Sequence, residues 1–282
     1  MYLWVILAEK SPVKSYLIPL FSLQLIPCLL CAQIWSRPFG MQNALIGNIS
    51  SCYPANFASL NNPALLSLKP SKQLAIAHQL PYLQSNLAIA AASFQNTTKH
   101  TSWGISFIQS GNEFFKQQII STGFSRKISK NLILGAALNY LATKQLQLKN
   151  LHNLYGTLGF IVQINKQLLI SSHLINVTAS AYQLEKKQDL GQIFQVGISY
   201  EFSKHIRLLS EIQTSNKSSI ELRFGLLYHI NPLLDIRIGT SKNLNNYSGG
   251  ILVRKSTINF IMGMQVNRLL GMSPGAEFNQ SF

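Results

Sequence analysis

Charge is what this chain has least of. Only 12% of its 282 residues are Asp, Glu, Lys or Arg, against roughly 25% in soluble globular domains. Carboxylates are the scarcest: nine Asp and Glu stand against 24 Lys and Arg, a formal net charge of +15. A soluble domain needs more surface charge than this. A disordered chain needs a higher charge density and fewer apolar residues than the 47% found here. Low charge with a mean hydropathy of +0.15 fits a chain that hides much of its surface in lipid. Cysteine is nearly absent too. Of Cys28, Cys31 and Cys52, only the last follows the N-terminal apolar run. The body of the chain therefore forms neither an internal disulfide nor a cysteine metal cluster, and no metal or cofactor is expected. Also missing beyond residue 36 is any apolar stretch of the ~20 residues that a membrane-crossing helix needs.

The one long apolar run comes first. Lys10 and Lys14 precede an uncharged segment from Ser15 to Ser36, most apolar between Leu17 and Cys31. Cys31-Ala32-Gln33 offers a processing site, so residues 1–33 read as an export signal. A retained membrane anchor and a lipid-modified cysteine at Cys28 or Cys31 are the competing readings.

The body alternates with a period of two, the period of strands. Phe194, Val196, Ile198, Tyr200 and Phe202 alternate with Gln195, Gly197, Ser199 and Glu201. The same holds from Leu132 to Tyr140, from Ile220 to Ile230 and from Ile258 to Val266. A turn grammar recurs: an apolar residue, Ser or Asn, then Lys or Pro, any residue, and another apolar residue. It appears at 128–132, 164–168, 202–206 and 230–234, and each interval holds two strands and one longer loop. Ser, Asn and Pro are turn residues for backbone reasons, so these turns share one end of the molecule. Weaker turns at 96–100 and 254–256 extend the series. The spacing predicts strands at 72–80, 86–95, 101–109, 117–127, 131–141, 153–165, 167–177, 190–202, 205–214, 219–230, 233–241, 246–254, 256–266 and 273–282. Runs of about ten residues, even in number, with short turns on one side, predict an all-β fold: a fourteen-stranded antiparallel transmembrane barrel over 72–282. The chain closes on Phe278 and Phe282, an aromatic ending that outer-membrane barrels present to the insertion machinery.

With the apolar rows facing lipid, the strand charges fall on the opposite parity. Glu201, Arg207, Glu211, Glu221, Arg223, Asp235 and Arg237 form a lumen cluster on neighbouring strands, with Arg254 and Glu277 of the same parity. A lipid-facing charge at mid-membrane costs ~2–4 kcal/mol, which enforces that parity. The cluster reads either as a salt-bridged wall or as a polar path. The positive excess lies in turns and loops, so lipid phosphates and lipopolysaccharide are available partners and nucleic acid is not.

Residues 34–71 lack alternation and read as a segment inside the barrel. Arg37-Pro38-Phe39-Gly40-Met41-Gln42-Asn43-Ala44 is followed by Asn61-Asn62-Pro63-Ala64-Leu65. These motifs, with Arg37, Pro38, Gly40, Met41, Asn62, Pro63 and Ala64 as their marks, resemble the opening of the PorV/PorQ-like outer-membrane proteins, relatives of the FadL fatty-acid channels. The likeness extends over residues 35–282. It implies an N-terminal hatch within a fourteen-stranded barrel of a Gram-negative, Bacteroidota-type outer membrane. Relatives often carry Asp between the two halves of the motif; here 48–53 has none. The resemblance implies either passage of small hydrophobic compounds, with Phe57, Leu60 and Leu65 facing a cavity near the wall, or an accessory role in type IX secretion with protein partners.

An enzyme is the third reading. Outer-membrane phospholipases use Ser and His on the lipid-facing wall, and Ser171 and His173 share one strand face. No Asp lies on that strand and His229 is on a distant one, so no nucleophile, base and orienting group assemble. Cys52 has no basic neighbour to activate it. The expectation is a protein without catalytic residues.

Overall fold

The computed structural model describes residues 38–68, 72–98, 101–148, 150–182, 188–216, 218–241 and 245–282. The expected signal (1–33) and Arg37 lie outside these residues. Sixteen strands follow in order: β1 (Lys72–Gln79), β2 (Ile89–Thr97), β3 (Thr101–Gly111), β4 (Phe115–Lys127), β5 (Leu132–Gln145), β6 (Leu151–Gln163), β7 (Leu168–Ile175), β8 (Ala181–Tyr182), β9 (Gln188–Asp189), β10 (Ile193–Glu201), β11 (Ile206–Ser215), β12 (Ser218–Asn231), β13 (Leu234–Ser241), β14 (Asn246–Lys255), β15 (Ile258–Asn267) and β16 (Gly271–Ser281). All but β8 and β9 form one closed barrel in sequence order, with β7 paired to β10. That is the fourteen-stranded antiparallel barrel of the sequence reading. β8 and β9 pair with each other as a small hairpin in the loop between β7 and β10.

Closure runs from Gln73 opposite Ser281 to Gln79 opposite Gly275. The Phe282 N–H then donates to the Lys72 carbonyl at 2.9 Å. Phe278 sits between its cross-strand partners Ile76 and Phe260. Closing the sheet removes the edge strands that an open sheet would leave unpaired.

Alternation sets the two faces. On β5, Leu134, Leu138 and Tyr140 are exposed outward, while Ile133, Ala137 and Asn139 are buried inward. The recurring turns close with their own side chains. Asn165 Oδ1 accepts the Gln167 and Leu168 N–H groups at 2.8 Å. Ser203 Oγ accepts from His205 and Ile206 at 3.2 Å, and Asn231 Oδ1 from Leu233 at 2.9 Å. These bonds supply partners for N–H groups that a tight turn would leave unpaired, which explains the Ser or Asn at that position.

Residues 38–68 are buried almost throughout. They hold one helical turn, α1 (Met41–Ala44), and a 3-10 turn at Pro63–Ser67. The Asn-Pro-Ala motif is the start of that turn. Asn62 Oδ1 caps it by accepting the Ala64 N–H at 3.0 Å, and Pro63 stands where no N–H is required. Asn61 stitches the two halves of the motif together. It accepts the Phe39 N–H at 2.9 Å and donates to the Phe39 carbonyl at 3.0 Å.

Candidate functional site

The hatch, residues 38–68, meets the barrel through a belt of glycines at inward positions. A methyl group added at Gly135 would overlap the backbone of Pro63 and Ala64, and one at Gly239 the backbone of Ile46 and Gly47. At Gly159 it would meet Asn62, at Gly197 Ser51, and at Gly225 the Ile46 carbonyl. Gly263 and Gly250, cross-strand partners, leave room for Leu45. The wall lies close enough to the hatch that only hydrogen fits at these positions. Gly40 begins α1 with φ +90°, a conformation open to glycine, and its α-carbon faces the Phe57 ring and Glu277.

The lumen charges do not line an empty path. They grip the hatch. Glu211 is buried on β11, and its Oε2 accepts the Ser50 N–H at 2.9 Å, the Ser51 N–H at 2.7 Å and the Ser51 hydroxyl at 2.6 Å. Its other oxygen takes Arg223 at 2.8 Å. Arg223 also donates to Asn48 O, to Gln213 and to Glu221. The carboxylate absent from hatch residues 48–53 is thus supplied by the wall. Glu277 repeats the device on β16, accepting the Gln42 N–H at 3.3 Å and Asn56 Nδ2 at 2.5 Å.

Arg237 is buried and, among the described residues, forms no ion pair. Its guanidinium lies 5.3 Å from the centre of the Tyr53 ring and donates to the Tyr53 hydroxyl and the Gln42 carbonyl. The remaining charges pair near the short-turn end. Arg207 meets its register partner Glu201 at 2.7 Å, and Asp235 takes both Arg254 and His229.

Hydroxyls hold the other half of the hatch. Ser67 bonds Ser102 and Ser125 at 2.8 and 2.6 Å. Ser59 bonds Ser106, while its carbonyl accepts from Ser121. Ser93 and Thr97 donate to the carbonyls of Asn56 and Leu66.

The structure places the remaining candidate residues. Phe57, Leu60 and Leu65 are all buried in packing, Leu65 beside Ile133 and Ile161, and none of them lines the depression on the outer wall described below. Ser171 and His173 share a strand face, but it is the buried inner one, away from any lipid-side substrate. His229 does find an Asp, at 2.6 Å, yet Arg254 already holds that carboxylate. Burial among apolar groups holds the Cys52 thiol well above its ordinary pKa, so it is no nucleophile.

An open depression lies on the outer wall. It has a volume of about 560 Å³ and is lined by Ile198, Tyr200, Leu208, Ser210, Phe224, Leu226, Ile238, Thr240 and Tyr247 of β10 to β14. Small Ser210 and Thr240 flank Phe224 across the strands and open the space between larger neighbours. Its floor is Leu209, Gly225 and Gly239. Gly225 and Gly239 are register partners, and the backbone of hatch residues Ile46 and Gly47 lies directly behind them. Sequence reasoning missed this feature. Its traces were the inward glycines and the small outward residues in otherwise bulky rows.

No protein-family model matches the chain, and no curated protein is significantly similar to it. Solved structures do share its fold. The chain is similar to the P. putida toluene transporter TodX, with TM-score 0.68 and 10% identity over 87% of this chain and 99% of that one. It is similar to the Ralstonia pickettii toluene transporter TbuX, with TM-score 0.62 and 11% identity over 87% and 97%. A Pseudomonas aeruginosa FadL homologue aligns with TM-score 0.56 and 11% identity over 88% and 96%. At such identities the likeness is one of architecture: the chain has the closed fourteen-stranded antiparallel fold of FadL-type outer-membrane barrels.

Proposed function

We propose that this protein is an outer-membrane conduit for the passive movement of small hydrophobic compounds. The observation that carries the reading is the apolar depression in the lipid-facing wall, backed by paired glycines and the hatch. An apolar molecule in the membrane enters such a depression without losing water-mediated contacts. Passage inward then requires β12 and β13 to part at Gly225 and Gly239 and hatch residues 45–49 behind them to move. That segment's Gly47 N–H donates to Ser248 at 3.1 Å, and Asn48 accepts from Gln265 at 2.8 Å. The Asn48 carbonyl also accepts from buried Arg223 at 2.8 Å, so this segment shares the charged grip of Glu211 and Arg223 and must leave part of it to move. Structures of similar architecture are named as toluene and monoaromatic hydrocarbon transporters, which supports the same substrate class and a role other than catalysis here.

The test is uptake of labelled toluene by intact Gram-negative cells, where the lipopolysaccharide leaflet is the barrier. Expression of the protein should raise uptake, and Ser210→Trp, which fills the depression from the lipid side, should abolish most of the gain. Uptake equal to that of cells without the protein would refute the conduit. The PorV/PorQ-type reading draws support from the hatch motif. It predicts that the protein co-purifies with secretion-system proteins in mild detergent, with no uptake.

A further inference from the structure

On the described barrel strands, every carboxylate faces inward. The outward face carries cations only: Lys72, Lys116, Arg126, Lys144 and Lys255. Each lies at the end of its strand or next to it. Lys116 and Arg126 stand ten positions apart on the same face of β4. At ~3.3 Å per residue and a tilt of ~40° that spacing is roughly 25 Å along the membrane normal, the height of the apolar band of such barrels. The outward cations therefore mark the two interfaces of the bilayer.

Lys116 and Lys144 are unusual even among these. They are direct cross-strand partners on β4 and β5, at the long-loop end. Like charges placed opposite each other repel. Neither lysine forms an ion pair among the described residues, and Glu113 in the adjacent turn pairs with neither. Beside them on the same wall, Tyr140 bonds His152 Nδ1 at 2.7 Å and stacks on its ring. Tyr140 faces Ile120, four of the ten positions from Lys116 toward Arg126, so this pair lies within the apolar band with its polar atoms bonded to each other. Phe114, Leu146 and Leu148 are exposed in the adjoining turns.

The geometry points to a phosphate-binding site at Lys116 and Lys144 for a phosphorylated glycolipid of the outer leaflet, of the lipopolysaccharide type. A phosphomonoester carries enough negative charge to turn the repulsion between the two lysines into attraction. The acyl chains of the same lipid lie along exposed Ile120, Leu138 and Leu154, on the mid-membrane side of the two lysines. This surface is on β4 to β6, away from the depression of β10 to β14, so its test is independent of transport.

The purified full-length protein in nonionic detergent is titrated with bis-phosphorylated lipid A, and with the same lipid after enzymatic removal of its phosphates. Bound lipid is read by native mass spectrometry. The phosphorylated form should bind more tightly, and K116Q/K144Q should weaken that binding ~25-fold, about 5-fold per lysine. K204Q, at the opposite rim, should bind as wild type. Heat-modifiable gel mobility shows that each variant is folded. Equal binding of the two lipid forms, equal binding of phosphatidylglycerol, or unchanged binding by the double variant would each overturn the site.

Discussion

The barrel holds its hatch with two different chemistries. Strands β2 to β4 seat residues 56–67 with hydroxyls: Ser93, Thr97, Ser102, Ser106, Ser121 and Ser125. Strands β11, β12, β13 and β16 hold residues 42–53 with Glu211, Arg223, Arg237 and Glu277, and Glu277 also takes the Asn56 side chain where the two sides meet. Neutral hydrogen bonds are individually weak, and losing one leaves no stranded charge. A buried charged cluster is different in kind: it is satisfied only while every member is in place. The charged side is also the side of the outer-wall depression. The half of the hatch nearest the proposed route is thus held by bonds that are strong together and costly to break singly. The far half is held by many small contacts over backbone packed against glycine.

That contrast can be broken at its strongest point first. Glu211→Ala removes the acceptor for Ser50 and Ser51 and leaves Arg223 with Glu221 as its ion-pair partner. The expected loss is on the order of 3 kcal/mol in urea unfolding of the micelle-bound barrel. The same variant should make Cys52 accessible to maleimide. In the native protein Cys52 is buried and its thiol is held protonated, so it should stay unlabelled at neutral pH. A cysteine placed at Ser67 should stay unlabelled in both backgrounds, because the hydroxyl side is held independently. If Ser67→Cys is released along with Cys52, the hatch moves as one body.

A smaller effect is expected from Gly135→Ala, on the hydroxyl side. The new methyl group meets backbone at Pro63 and Ala64, which cannot rotate away. A cost of ~2 kcal/mol follows from overpacking. Gly249→Ala faces outward, its new methyl group meeting only the Arg237 carbonyl oxygen at 3.9 Å, and should stay within ~0.5 kcal/mol of wild type in the same unfolding assay. Equal effects at the two sites would mean that the hatch does not press on the wall at Gly135.

The smallest effect is expected from Ser67→Ala. It removes two neutral bonds and should cost about 1 kcal/mol in that assay. A loss as large as that of Glu211→Ala would erase the distinction between the two sides.

Much of this was legible in the residues. Alternation from Leu132 to Tyr140 places apolar side chains on one face whatever the neighbouring strand does, because successive residues of a strand point to opposite sides. The Ser or Asn of each turn could be read for the same reason: its bonds reach only two or three residues along the chain. The lumen cluster could be read as a parity but not as a grip. Nothing near Ser50 and Ser51 in sequence announces that Glu211, 160 residues away, accepts from both. The inward glycines were visible as interruptions of the polar rows, with no sign that each faced a particular hatch residue.

What the sequence determined by itself is therefore everything of short range: strand number and length, which face meets lipid, the turn ends, and the scarcity of charge that a bilayer requires. Only the tertiary structure decided the register that sets Gly225 beside Gly239 and Lys116 opposite Lys144. It alone placed Asn61 against Phe39 and the hatch against the belt of glycines. A period of two is a property of one strand. A depression, a grip or a pair of facing charges is a property of several strands brought together by closure of the barrel, and it depends on pairings between residues far apart in the chain.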